Sequence, residues 1–346
     1  MRTTLRGSPV VAAPGKVFLV GEYGVLEGGT AVLAAVDRFA VGEFIPELDA
    51  GSPLVAQAVK TTLAALGEKG SALPAGSVWI DTGSFSASGD AGDAAGGVRK
   101  LGLGSSAATA ACAVGAVLEM AGLPIAAHRD LAFSLAESAH RAWQGGAGSG
   151  ADVAAAVYGG VLQFTRPGGG TPVVRSIDSG LHTLELVVFS SPTAVSTTGQ
   201  IRSMRAFAER EPARYDGLLA PVREAAERFV QSLASRHPRE TIAALRAAGL
   251  ALTTLGDAAE VPIVTPPFAR AAALAAELGG GAKPSGAGGG DVGVALFPDR
   301  DAALTFIQRV SEERAPDGAL QILDLKIDEN GLHRRTAGIA IREHNV

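Results

Sequence analysis

The stretch Lys100-Leu-Gly-Leu-Gly-Ser-Ser-Ala-Ala-Thr-Ala110 constrains this chain more than any other. Its two glycines, paired serines and alanine-rich run describe a backbone that curls tightly and then enters a helix. Gly102 and Gly104 carry no Cβ, so backbone N–H groups can close on a ligand. A helix opening at Ser105 places about half an elementary positive charge at its first turn, where the N–H groups have no partner inside the helix. Such a turn binds phosphate. The hydroxyls of Ser105 and Ser106 add a hydrogen bond or a metal ligand. A Walker A loop is excluded, because no Gly-x4-Gly-Lys-Ser/Thr occurs. Gly102-x-Gly104-x-x-Ala107 matches a dinucleotide fingerprint on paper. The preceding residues, Ser84 to Lys100, are rich in Gly, Ser and Asp and do not read as the strand that fingerprint needs. A phosphate loop of another type stands beside the plainer alternative, a glycine-rich turn with a serine N-cap.

Length and charge narrow the field. A chain of 346 residues predicts two domains. With 47% hydrophobic but only 5% aromatic residues, its cores must be packed from Ala, Val and Leu. A formal net charge of −5 argues against a nucleic-acid partner. The single cysteine, Cys112, excludes an intramolecular disulfide and a cysteine metal cluster, and its place in the alanine-rich helix predicts packing. No run of about 18 apolar residues and no leader-like start is present, so the expectation is a cytoplasmic protein without a membrane partner.

Hydrophobic patterning predicts strands over Val10–Val20, broken by Pro14-Gly15, then Ala31–Ile45 and Val78–Ile80, with a helix over Leu54–Leu66. Ser84–Gly97 reads as a loop. Helices follow over Ser105–Met120 and Ala126–Trp143, and a short one runs from Asp152 to Val157. The second half mixes strands (Leu184–Phe189, Val292–Phe297, Leu320–Ile327, Ala337–Ile341) with helices (Ile201–Arg210, Leu218–Ala234, Arg239–Thr253, Phe268–Leu278, Ala302–Val310), an α+β pattern. Gly279–Gly290 reads as a second glycine-rich loop.

Four segments carry the chemistry: Ala13-Pro-Gly-Lys-Val-Phe-Leu-Val-Gly-Glu-Tyr23, the Gly102 loop, Gln144-Gly-Gly-Ala-Gly-Ser-Gly-Ala-Asp152 and Lys283-Pro-Ser-Gly-Ala-Gly-Gly-Gly-Asp291. The first, second and fourth resemble, in order and spacing, the three motifs of the GHMP kinase superfamily, named for galactokinase, homoserine kinase, mevalonate kinase and phosphomevalonate kinase. That resemblance implies a two-domain α+β fold. A ribosomal protein S5 domain 2-like N-terminal domain spans 1–180, and a ferredoxin-like C-terminal domain spans 181–346. Three details are similar to the phosphomevalonate kinases of that family: Lys283 to Asp291, Gly148-Ser-Gly-Ala-Asp-Val-Ala, and Lys100 before the phosphate loop. The Gln-Gly-Lys common before Gly-Ser-Gly there reads Gln144-Gly145-Gly146 here.

The resemblance implies an ATP- and Mg2+-dependent kinase whose acceptor is 5-phosphomevalonate. Its rivals are a mevalonate kinase, a mevalonate-diphosphate decarboxylase and a non-catalytic ligand sensor of the same fold. Phosphoryl transfer asks the protein chiefly for placement and charge neutralisation. Asp152 accepts or orients the acceptor's proton, with a helix cap as its plain alternative. The resemblance implies that Lys16 stands beside it and offsets negative charge, with a snorkelling edge lysine as its plain alternative. ATP is expected at Lys100, Gly102, Leu103, Gly104, Ser105, Ser106, Ala107 and Ala108. The acceptor is expected at Glu22, Tyr23, Gly148, Ser149, Ser196, Thr197, Gly286 and Ala287. Ser106 and Glu137 are the expected metal ligands. Lys100, Arg141, Arg202 and Lys283 are candidates to hold an anionic acceptor, and Asp291 reads as a turn residue. The partner is a small molecule, and a monomer or homodimer is expected.

Overall fold

The computed structural model describes residues 8–47, 52–88, 98–146, 148–177, 180–191, 197–313 and 319–335. Its first layer is built on β1 (Val10–Val20) and the long β2 (Ala31–Pro46), antiparallel from Val10 opposite Glu43 to Val20 opposite Val32. The pairing slips between Pro14 and Gly15, where a proline cannot donate to the ladder. Around them run α1 (Pro53–Leu66), a short α2 (Glu68–Ser71), β3 (Gly76–Asp81), the small ribbon of β4 (Ser86–Ser88) and β5 (Val98–Lys100), α3 (Ser105–Met120), α4 (Arg129–Trp143), α5 (Ala151–Tyr158), β6 (Val161–Thr165) and β7 (Val173–Ser176). β3 pairs the far half of β2, β6 pairs its near half, and β7 closes the edge.

α3 shows why so few aromatics suffice. Ala107, Ala108, Ala110, Ala111, Ala113 and Ala116 are all fully buried, so the helix lies close on β1 and β2. Cys112 sits among them, its thiol pushed up to about 12 by burial, a packing residue as expected.

The second layer comprises β8 (Glu185–Ser190), α6 (Thr197–Arg210), α7 (Pro212–Ala234), α8 (Pro238–Ala259), α9 (Pro266–Glu277), β9 (Gly281–Pro284), β10 (Val292–Phe297), α10 (Arg300–Glu312) and β11 (Gln321–Leu323). The antiparallel sheet order is β11-β8-β10-β9. With β8, β9, β10 and β11 as strands one to four, this is order 4-1-3-2 with helices after the first and third, the ferredoxin-like arrangement. β9 lies inside the segment read from sequence as loop. Its Gly, Lys and Pro hide a strand whose four residues are all buried. α8 is long and apolar enough to cross a membrane by length and composition, and here it packs on α7, β9 and β1.

The chain then returns to the first layer. Ile327 bridges Val36, the Asp328 N–H donates to the Ala35 carbonyl at 3.0 Å, and β12 (His333–Arg334) pairs with β1. The expected strand Leu320–Ile327 is therefore split, its first part in the second sheet and its end against β2. The division at residues 180 and 181 is crossed again by residues 326–335. The expected strand Ala337–Ile341 lies outside the described residues.

Candidate active site

The cleft between the layers gathers β1, the Gly102 loop, the start of α5 and the loop between β9 and β10. Lys16, Gly102, Asp152, Gly286 and Asp291 all line it.

Lys16 owes its position to the irregularity before it. A Cβ on Gly15 would lie 2.7 Å from the Leu103 carbonyl oxygen and 2.8 Å from the Phe85 ring, so only glycine lets the phosphate loop rest on β1. The Lys16 backbone N–H donates to the Leu103 carbonyl at 2.8 Å, and its Nζ donates to the Gly102 carbonyl at 3.1 Å. Its aliphatic stem packs over Gly104, which takes φ +80. Burial pushes the ammonium below the ordinary lysine range, and the charges of Asp152, Asp291 and Glu22 pull it back, Asp152 most strongly.

Asp152 lies in the first turn of α5, one residue inside the helix. Gly150 is the cap, with φ +86, and among the described residues no side chain caps the helix. Asp152 Oδ1 accepts from the Val153 N–H at 3.0 Å. The plain reading of a capping aspartate does not hold: Gly150 occupies the cap position, and Asp152 stands inside the first turn and lines the cleft. The turn before it is braced by Arg166, buried, which donates to the Ser149 carbonyl at 3.0 Å and to Glu137 Oε1 at 2.7 Å.

The expected nucleotide residues divide by what their backbone is free to do. α3 begins after Gly104 with no side-chain cap among the described residues. That end suits an anion. Ala108 is corrected: its N–H already donates to the Gly104 carbonyl at 3.1 Å and its side chain is fully buried. Leu103 and Ala107 also bury their side chains, and the Leu103 carbonyl is taken by Lys16. Lys100, Ser105 and Ser106 line a second hollow of about 440 Å³ on the far side of the loop, walled by Trp79, Trp143 and Val55.

Glu137 is not placed as an expected metal ligand would be. Its Oε1 is held by Arg166 at 2.7 Å with Arg141 at 3.9 Å, so its charge is already answered. Among the described residues no group of three or more His, Cys, Asp or Glu could hold a metal. A Mg2+ ion here would draw on Ser106, on phosphate oxygens and on water, which suits a cation that keeps part of its hydration shell.

On the acceptor side, Glu22, Tyr23, Gly148, Ser149, Gly286 and Ala287 all line the cleft. Ser196 and the side chain of Thr197 lie outside the described residues. Lys283 is corrected as a ligand for an anion: it is wholly buried and forms an ion pair with Glu22 Oε1, with its Nζ also donating to the Pro284 carbonyl at 2.6 Å. Burial pushes its ammonium down and Glu22 holds it up. Glu22 Oε2 and Gln144 Oε1 have no hydrogen-bond partner among the described residues, and both residues line the cleft. Arg202 is exposed on α6.

Sequence reasoning missed Asp291. Its carboxylate accepts the Gly102 N–H at 2.9 Å and so joins the second layer to the phosphate loop. Burial pushes its carboxyl up, opposed by that N–H, Lys16 and Arg99. Ser285 Oγ likewise accepts the Phe18 N–H at 2.7 Å, and the Tyr23 hydroxyl donates to the Ala287 carbonyl at 2.6 Å. The sequence signal for Asp291 was its place at the end of the glycine run.

Comparison with known proteins fits this geometry. Residues 97–160 match the GHMP kinases N terminal domain, and residues 229–315 match the GHMP kinases C terminal family. The chain belongs to the GHMP kinases. This GHMP kinase is 29% identical to phosphomevalonate kinase from Streptomyces sp. (strain CL190), over 85% of this chain and 91% of that one. Its fold matches the Lin0012 protein from Listeria innocua with a TM-score of 0.77 at 24% identity, covering 91% and 99% of the two chains. It also matches Streptococcus pneumoniae phosphomevalonate kinase in complex with phosphomevalonate and AMPPNP, with a TM-score of 0.74 at 19% identity, covering 92% and 99%.

Proposed function

We propose that this GHMP kinase transfers the γ-phosphoryl group of ATP to 5-phosphomevalonate, giving 5-diphosphomevalonate and ADP, in the mevalonate route to isoprenoids. The observation that carries the reading is the convergence of Lys16, Asp152 and the Gly102 turn on one cleft, with Asp152 the strongest of the carboxylates acting on the lysine. The Streptomyces relative bears the name of this activity. The pneumococcal structure holds the same acceptor and an ATP analogue.

The open end of α3 and the Gly102–Ser106 turn hold the triphosphate, and the tryptophan-walled hollow beside Ser106 takes the nucleoside. Mg2+, when bound with ATP, neutralises phosphate charge, and Ser106 is the protein ligand available to it. A phosphate monoester sheds its second proton near pH 6, so at neutral pH the harder task is to bring two anions together. Lys16 performs it, placed between the acceptor oxygen and the phosphate loop. Asp152 fixes the lysine's charge, orients the acceptor and takes any proton that remains. The Glu22–Lys283 pair holds the wall on which the acceptor rests. The work is cytoplasmic and done by a monomer or homodimer.

The test is ADP release, measured with phosphomevalonate, mevalonate and mevalonate diphosphate in parallel. Turnover is expected with phosphomevalonate and without carbon dioxide release. Turnover on mevalonate alone, or decarboxylation, overturns the acceptor assignment. ATP binding without turnover on any acceptor makes the protein a sensor.

A further inference from the structure

His140 is buried, 2% exposed, in the last turn of α4, and the mechanism above makes no use of it. Its Nε2 lies 3.1 Å from Ser106 Oγ. Its ring packs on Trp143 with centroids 5.9 Å apart, and Trp143 walls the same hollow that Ser106 lines. The imidazole therefore sits behind the phosphate loop, touching the hydroxyl that faces the nucleotide.

A serine hydroxyl has one proton and two lone pairs. If the proton points at a phosphate, the oxygen acts as a donor to that phosphate. If the proton is drawn away, the lone pairs face the cleft and the oxygen becomes a ligand for a hard cation. His140 is the group placed to decide which. We propose that His140 is a positioning residue: its Nε2 accepts the Ser106 hydroxyl proton and leaves Ser106 Oγ as a lone-pair donor to the cation that accompanies the nucleotide. The proposal rests on the kinase reading. Outer partners that orient a metal ligand typically change metal affinity about 10- to 100-fold when removed.

The experiment is ADP binding to the whole chain, followed by calorimetry with Mg2+ and again with chelator. His140→Phe keeps a ring and loses the acceptor, and His140→Gln keeps an acceptor at a similar reach. The expected result for His140→Phe is about a tenfold loss of affinity with Mg2+ and no change with chelator. Ser106→Ala is expected to show the same loss. The double variant should be no worse than Ser106→Ala, because two residues acting through one bond are not additive. His140→Gln should recover most of the affinity. Wild-type affinity in His140→Phe, equal loss with and without Mg2+, or additive losses would overturn the proposal. Should His140→Phe fail to fold, nitrogen NMR of the wild-type histidines, assigned with His140→Gln, reads the ring directly. A proton on Nδ1 supports the proposal and a proton on Nε2 overturns it. A wild-type chain that binds no ADP at all removes the kinase reading itself, a result distinct from a failure of His140 alone.

Discussion

Lys16 is a cation kept in a place that disfavours cations, and that tension is open to measurement. Its proton is held below the ordinary lysine range by burial and defended chiefly by Asp152. Activity that needs the ammonium falls as pH rises through a value lower than 10.5, the usual lysine figure. The alkaline limb of kcat/KM is thus expected below the range of a free lysine. Asp152→Asn removes the largest attractive charge, so the limb moves to still lower pH, while kcat drops by at least about 10²-fold and the fold survives. A limb that stays put would mean Lys16 is not the titrating group. Near-normal turnover would leave Asp152 a helix residue only. Lys16 and Asp152 could be read from sequence because each stands beside glycines in a motif. Asp291 could not, since its task is to meet the Gly102 N–H 189 positions away. Its place at the end of the glycine run marks the residue but does not announce that partner.

Elements show the same division. β1, α3 and the turn into α5 were legible because periodicity and glycines mark their ends. β9 was not, because a buried lysine in a strand makes sense only once Glu22 is seen across from it. The Arg166 brace was equally hidden. Arg166 follows β6, yet it secures the turn before Asp152 through the Ser149 carbonyl and Glu137. Arg166→Ala is expected to cut kcat by about 10²-fold through misplacement of Asp152. The KM for ATP should hardly change, because the brace does not touch the Gly102 turn. Arg166→Lys should not restore the rate, since one ammonium cannot span the partners of a guanidinium fork. Steady-state kinetics on the two variants checks this, and full activity in Arg166→Lys would show that charge alone suffices.

At the scale of the molecule, chain length and the family resemblance indicated two domains, but not the return of residues 326–335 to the first layer. That segment is short and weakly patterned, and its strand pairs β1 from more than 300 positions away. Leu332 is fully buried, its N–H donates to the Val157 carbonyl at 3.1 Å, and it packs where Gly115 leaves room. Leu332→Ala is expected to cost about 2–5 kcal/mol of stability, read by denaturant unfolding at Trp79 in the first layer. A loss below about 0.5 kcal/mol would show that the segment is a loose cover. Domains usually fold as units while the ribosome is still at work, the N-terminal one first. Here the sheet that carries Lys16 lacks one edge until residues 333 and 334 have been synthesised. A nascent chain must carry that unfinished edge through the translation of the entire second layer before its catalytic sheet is complete.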